Sequence, residues 1–238
     1  MSGTRRLTVA LYWLVTVLAF TAVTVMLFTY TPIEQSMGPI QKLFYVHLPV
    51  AICTFVACLV VCVASVGYLW QRRLLWDDLA LASAKVSVLG CTIVLGTGII
   101  WAHEAWNVWW DWTPRLTFTL VLWLLYVVYL MIRPSIESRR RRAVVSAVYG
   151  VVAFADVPLV YLSTRMMPQI HELHPVKVSL DDPRMQWTLG AWFIPVTLLT
   201  AGLTVVLYQH GRRQTIAREQ QAERDDAAMG ATSPDPVA

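Results

Sequence analysis

Trp101-Ala-His-Glu-Ala-Trp106-Asn-Val-Trp109-Trp110-Asp-Trp112-Thr-Pro-Arg115-Leu-Thr117 places five of the chain's eleven tryptophans within twelve residues, between apolar runs near 82–101 and 116–132. One or two tryptophans at the end of an apolar run are ordinary interfacial anchors, because the ring is apolar while its N–H stays wet. Five in one short connection suggest a flat aromatic surface built to hold a flat ligand.

Outward from this segment the chain is 57% hydrophobic and only 14% charged over 238 residues, a composition too apolar for a soluble protein. A bilayer core of about 30 Å needs about 20 apolar residues of helix. Runs near 9–30, 43–70, 82–101, 116–132, 143–163 and 187–208 approach that length. The expected fold is therefore all-α, a polytopic membrane protein with a six-transmembrane-helix bundle in residues 1–210. Residues 211–238, rich in Ala, Asp, Glu, Gln and Pro towards the end, read as a cytoplasmic, disordered tail. The first run follows Arg5 and Arg6, yet it is longer than a signal core and lacks a small-x-small cleavage site, so it reads as a retained span.

Lysine and arginine accumulate in cytoplasmic loops, and their alternation orients the spans. Arg5, Arg6, Arg72, Arg73, Lys85, Arg133, Arg139 to Arg142, Arg212 and Arg213 fall on one side, against Lys42, Arg115, Arg165, Lys177 and Arg184 on the other. Both termini are then cytoplasmic, and the Trp-rich loop 101–117 faces outward, into the periplasm of a Gram-negative cell. The arginine run 139–142 serves as a topology signal rather than a nucleic-acid or lipid site. Cys53, Cys58, Cys62 and Cys91 all lie in spans without a Cys-x-x-Cys pair, and read as small helix-packing residues. The absence of Cys-x-x-Cys-His argues against covalent c-type haem on this chain.

His210 sits at the inner end of the last span, and the other four histidines are at the outer face. His47 stands in Phe44-Tyr-Val-His47-Leu-Pro49, in the first turn of the second span, where a proline is tolerated because early N–H groups lack intrahelical partners. His171 and His174 follow the fifth span, and His103 lies inside the tryptophan segment. Two imidazoles on opposite sides of a planar macrocycle satisfy six-coordinate haem iron, and aromatic faces suit the porphyrin. Zinc would want three or four grouped ligands and has no use for the tryptophans. Arg115 is either a snorkelling outer anchor or a fork that holds a haem propionate. Asp156, inside the fifth span, must face the bundle or a cavity, since a carboxylate at that depth costs about 2.5–3.5 kcal/mol. Its residue type fits either a helix–helix hydrogen bond or a site.

The spacing Trp101-x4-Trp106-x2-Trp109-Trp110-x-Trp112-x2-Arg115-Leu-Thr117, with Tyr45-Val-His47-x-Pro49, resembles the CcmC/CcmF/CcsA haem-handling family of cytochrome c biogenesis. Within it, the six-span plan is most similar to the haem exporter protein C (CcmC) group, over about residues 10–208. The resemblance implies a multi-pass protein of the bacterial cytoplasmic (inner) membrane that presents haem b, held non-covalently and transiently, to the periplasmic haem chaperone CcmE. It also implies an ABC-type CcmA/CcmB complex and a small CcmD-like membrane protein as partners, and no nucleic acid. On that pattern His47 is one axial ligand and His174 or His171 the other. Trp101, Trp106, Trp109, Trp110 and Trp112 line the platform, and Arg115 takes the propionate. Ten residues on from Tyr161 falls His171, while the common His-Pro pairing selects His174. His174 is preferred, because a helix that ends before Pro175 leaves its side chain to turn over the platform.

Departures from the pattern are Thr113, where Asp is common, and Ala102 and Asn107, where glycines are usual. No catalytic residue is expected; no Walker phosphate loop or Ser/His/Asp arrangement occurs, so ATP hydrolysis falls to a partner. A cytochrome c synthase subunit, CcsA-like, is the rival within the family, and it usually carries additional spans. A small transporter or channel with an interfacial Trp belt is the rival outside it, and Asp156 alone supports it.

Overall fold

The computed structural model describes residues 3–35, 37–166 and 180–231, most of which fold into α-helices. They are α1 (Gly3–Thr29), α2 (Phe44–Gln71), α3 (Leu74–Trp106), α4 (Pro114–Ile132), α5 (Arg139–Phe154), α6 (Asp156–Met166) and α7 (Pro183–Ala231), with a 3-10 turn at Pro39–Leu43 leading into α2. α5 and α6 form one interrupted span, so six stretches are long and apolar enough to cross a membrane. The chain is a polytopic helical membrane protein, as its hydropathy predicts.

Local chemistry explains most helix boundaries. α2 stops at Arg72 and α3 at Asn107, both in the left-handed conformation with φ of 56° and 55°. Each donates its backbone N–H to the carbonyl four residues back, Tyr68 and His103, at 2.8 Å. Asparagine is among the few side chains that tolerate this conformation, which suits Asn107 to end α3. α4 opens with Pro114 at its first position, where no N–H is needed. The interruption at Ala155 lies three residues before Pro158, which has no N–H to offer the carbonyl of Phe154. Pro49 differs from expectation: because the helix begins at Phe44, it stands beyond the four N–H groups that lack partners and forgoes one intrahelical bond.

α2 is the central element. One apolar cluster joins its Cys58, Val61 and Ala64 to Ala84 and Cys91 of α3, Leu122 and Tyr126 of α4 and Val160 of α6. A second cluster joins Tyr45 and Cys53 of α2 to Val23 and Leu27 of α1 and Trp192 and Val196 of α7. Cys53, Cys58 and Cys91 are buried, and all four thiols are free, in keeping with a packing role. Lipid supplies no hydrophobic drive between helices, so close backbone approach matters. At Gly90 a Cβ would fall 2.1 Å from Thr54 Oγ1, and at Gly150 it would fall 2.7 Å from Ser65 Oγ. These contacts seat α3 and α5 against α2.

From Gly211, where the sequence reads as a disordered tail, α7 continues as helix to Ala231. The segment is rich in Ala, Glu, Gln and Arg, all strong helix formers, and needs no apolar face to extend an existing helix.

The arginine-rich end of the bundle is tied by charge. Arg133, just after α4, donates from both terminal nitrogens to Asp77 of α3 at 2.8 Å, a bidentate pair with side chains 8% and 5% exposed. Next to it Asp78 lies 3.5 Å from Arg139 of α5 and 3.5 Å from Arg212 of α7. Two adjacent carboxylates at the start of α3 thus join the end of α4, the start of α5 and the interior of α7, and arginines that orient the chain by number also fasten it. Asp156 is likewise buried, at the start of α6. Removing one partner of a buried pair strands the other charge, so Asp77→Asn should lower stability by about 3–5 kcal/mol. Thermal unfolding in detergent reads this, and the double variant Asp77→Leu/Arg133→Met should recover most of the loss; a double variant as unstable as the single would refute the pairing.

Candidate functional site

His47 is the fourth residue of α2 and is buried, with its Nδ1 2.8 Å from Thr97 Oγ1 on α3. One turn beyond Thr97, Trp101 is 2% exposed and packs edge-on against the His47 ring, with centroids 6.2 Å apart at 80°. Phe44 closes the other side of Trp101 at 5.9 Å and 70°. A hydrogen bond to Thr97 and the edge of Trp101, both on α3, thus hold the imidazole. A cavity of about 480 Å³ opens beside it, lined by His47, Trp101, Trp106 and Arg115 together with apolar residues of α2, α3, α4, α6 and α7.

Its shape follows from the break in the fifth span. α5 packs against α2, whereas α6 packs chiefly against α4. The space between α2 and α6 is where Leu48, Ile52 and Phe55 face Val160 and Tyr161 across the cavity. The α2 lining runs from Phe44 to Phe55, a depth of about 16 Å at the helical rise. Polar groups gather at the tryptophan end, and the deeper wall is apolar.

The five tryptophans divide instead of forming one flat wall. Trp101 and Trp106 belong to α3 and line the cavity; five residues of helix turn them about 140° apart, so they flank the space. After Asn107 the chain leaves the helix. Trp109 is exposed and stacks on His103 at 3.9 Å and 26°, and His103 also lies 3.4 Å from Glu104. Trp110 meets the exposed Trp112 edge-on at 5.5 Å. The structure thus brings together His47, Trp101, Trp106 and Arg115, and leaves Trp109, Trp110 and Trp112 outside that cavity as a separate aromatic surface. His171 and His174 lie outside the described residues. Thr113 is the residue before α4; it is buried, and its hydroxyl makes no capping bond to that helix.

The arrangement offers an imidazole nitrogen, aromatic edges, an apolar slot and a guanidinium at the slot's polar end. Among the described residues no group of three or more His, Cys, Asp or Glu side chains gathers, so a bare multi-ligand metal site is not formed by them. A family model described as Heme exporter protein C matches residues 1–227. The chain belongs to this family.

The chain is similar to the Heme exporter protein C of Escherichia coli K12, 27% identical over 181 residues that cover 75% of this chain and 73% of the relative. It is also similar to the protein of that name from Rhodobacter capsulatus, 34% identical over 111 residues, 47% of this chain and 46% of the relative. A shorter likeness reaches a Synechococcus cytochrome c biogenesis protein CcsA, 38% identical over 79 residues, 33% of this chain and 26% of the relative. The matched residues 1–227 include all six apolar spans and the tryptophan-rich segment.

Two contacts of the site escape sequence reasoning. Thr97 reads as one more small residue in an apolar run, and only its place one turn before Trp101 hints that it shares that face. Phe44 stands close to His47 in the sequence, but nothing in its residue type directs it to Trp101. The division of the tryptophans is testable: Trp101→Ala should cost about 3–5 kcal/mol, the range for a buried aromatic, whereas Trp109→Ala should stay within about 0.5 kcal/mol. Unfolding in detergent distinguishes the two, and equal losses would count against separate inner and outer sets.

Proposed function

We propose that this chain is a haem-binding membrane protein of cytochrome c maturation, which presents haem at the outer face of the bacterial inner membrane for transfer to the periplasmic chaperone CcmE. The observation that carries the reading is His47 on the wall of an apolar cavity that also holds Trp101, Trp106 and Arg115. Haem needs an axial nitrogen, an apolar slot for the macrocycle and a cation for its propionates. His47, the apolar lining and Arg115 support the reading.

In this reading His47 is one axial ligand and His174, with His171 as the alternative, is the other. Arg115 takes a propionate, Trp101 and Trp106 flank the haem, and Trp109, Trp110 and Trp112 extend the aromatic platform outward, towards the chaperone. The haem is haem b, bound without a covalent link and released to the next carrier, so the chain delivers a cargo and does no bond-making chemistry of its own. Energy from ATP enters through the ABC-type CcmA/CcmB complex, with a small CcmD-like protein as a further partner. Both termini are cytoplasmic, consistent with the positive charge at that end of the bundle.

The test is a visible spectrum of the purified chain in detergent with added haem. A Soret band of six-coordinate character is expected, lost or converted to a five-coordinate form in His47→Ala and in His174→Ala. Arg115→Leu should weaken haem binding about tenfold or more, as befits a charge-assisted bond, and should bind haem dimethyl ester as well as the unaltered chain does. An unchanged spectrum in His47→Ala would remove the ligand assignment. For orientation, Asn107→Cys should react with an impermeant maleimide in intact spheroplasts, and reaction only after lysis would invert the topology.

A further inference from the structure

We infer that Thr97 is a positioning residue that fixes the tautomer of His47, so that the imidazole presents its Nε2 lone pair to an iron atom. The inference rests on the reading of His47 as a haem ligand.

A hydroxyl has one proton to give. Thr97 Oγ1 lies 2.7 Å from the carbonyl oxygen of Ile93 and 3.1 Å from that of Val94, and both of these can only accept. The proton is thereby directed to the α3 backbone, and the lone pairs of Oγ1 remain for the third neighbour, His47 Nδ1, at 2.8 Å. That contact then runs from Nδ1–H of the imidazole to the threonine oxygen. A neutral imidazole carries a single N–H, so the lone pair is on Nε2. The opposite tautomer would set the Nδ1 lone pair against an oxygen whose proton is committed elsewhere.

Neighbouring residues hold the ring in this pose. Trp101 abuts it from one turn further along the same helix. At Gly98 a Cβ would sit 3.6 Å from His47 Cε1, the carbon between the two ring nitrogens. A methyl fits there, and anything larger would crowd the ring edge. Donation from Nδ1–H also raises the basicity of Nε2, as carboxylates and carbonyls do behind other metal-bound histidines. Thr97 therefore acts on the iron through His47 and touches neither iron nor porphyrin.

A merely structural threonine, one that only packs α3 on α2, would alter stability and leave the iron's electronic properties alone. The experiment uses the full chain in detergent with added haem, and reads haem affinity and the reduction midpoint potential of the bound haem. Thr97→Val keeps the shape and deletes the acceptor; it should weaken affinity about 10- to 100-fold and raise the potential, because a less basic imidazole stabilises ferric iron less. Thr97→Ser restores the oxygen and should return both values towards the unaltered chain. Thr97→Cys, a weak acceptor of similar size, should fall between and serves if the valine variant does not fold. In a His47→Ala background Thr97→Val should add no further loss, since the two act as one unit.

Equal losses in the serine and valine variants, or an unshifted potential in both valine and cysteine variants, would overturn the role of Thr97 while leaving His47 as a ligand. An unchanged spectrum in His47→Ala would instead overturn the ligand reading itself, so the two failures are told apart.

Discussion

The close approach of α2 and α3 is the constraint from which the rest of the structure follows. At Gly90 there is no room for a side chain against Thr54, and the two backbones settle as near as glycine allows. Two antiparallel helices in such contact repeat their pairing about every seven residues, close to two turns. Seven residues from Thr54 towards the tryptophan end is His47, and seven from Gly90 is Thr97. These two are the hydrogen-bonded pair of the site. Seven residues the other way, Val61 and Ser83 are both fully buried. One seam therefore sets the helix pair in its middle and orients the imidazole at its end.

The opposite end of the bundle answers a different demand. Asp77 and Asp78 would be costly near a membrane boundary if they stood alone, and each is held by guanidinium groups from other helices. Arg133 is buried with its partner, and the fork geometry satisfies both carboxylate oxygens at once. By contrast Arg115, at the tryptophan end, lines a cavity. Guanidinium groups thus close one end of the molecule and furnish a site at the other.

Hydropathy made the spans legible, because a long apolar run is both the strongest pattern in the sequence and the main reason a helix enters a bilayer. It hid the true length of α3, whose first turn carries Asp77 and Asp78 and so reads as a loop until their partners on distant segments are known. The same holds for the helix from Gly211 onward, where local propensity outweighs the absence of an apolar face. At the site, His47, Trp101, Trp106 and Arg115 were legible from residue type and spacing. Their separation from Trp109, Trp110 and Trp112 was not, since it depends on where α3 ends, and that is decided by the left-handed turn at Asn107. Thr97 stayed hidden because a threonine in a span is usually a packing residue, and only the register across the α2–α3 seam gives it a histidine to hold.

The break at Ala155 makes the room that this seam alone would not provide. Pro158 denies Phe154 its helical donor, and where α5 packs on α2, α6 packs chiefly on α4. The gap that opens is apolar through most of its depth and polar only where α2, α3 and α4 end. In the function proposed for the chain, a planar, amphipathic ligand would enter such a slot with its hydrocarbon edge inward and its charged edge towards Arg115. The proline that costs the helix a hydrogen bond is thus what gives the imidazole something to face.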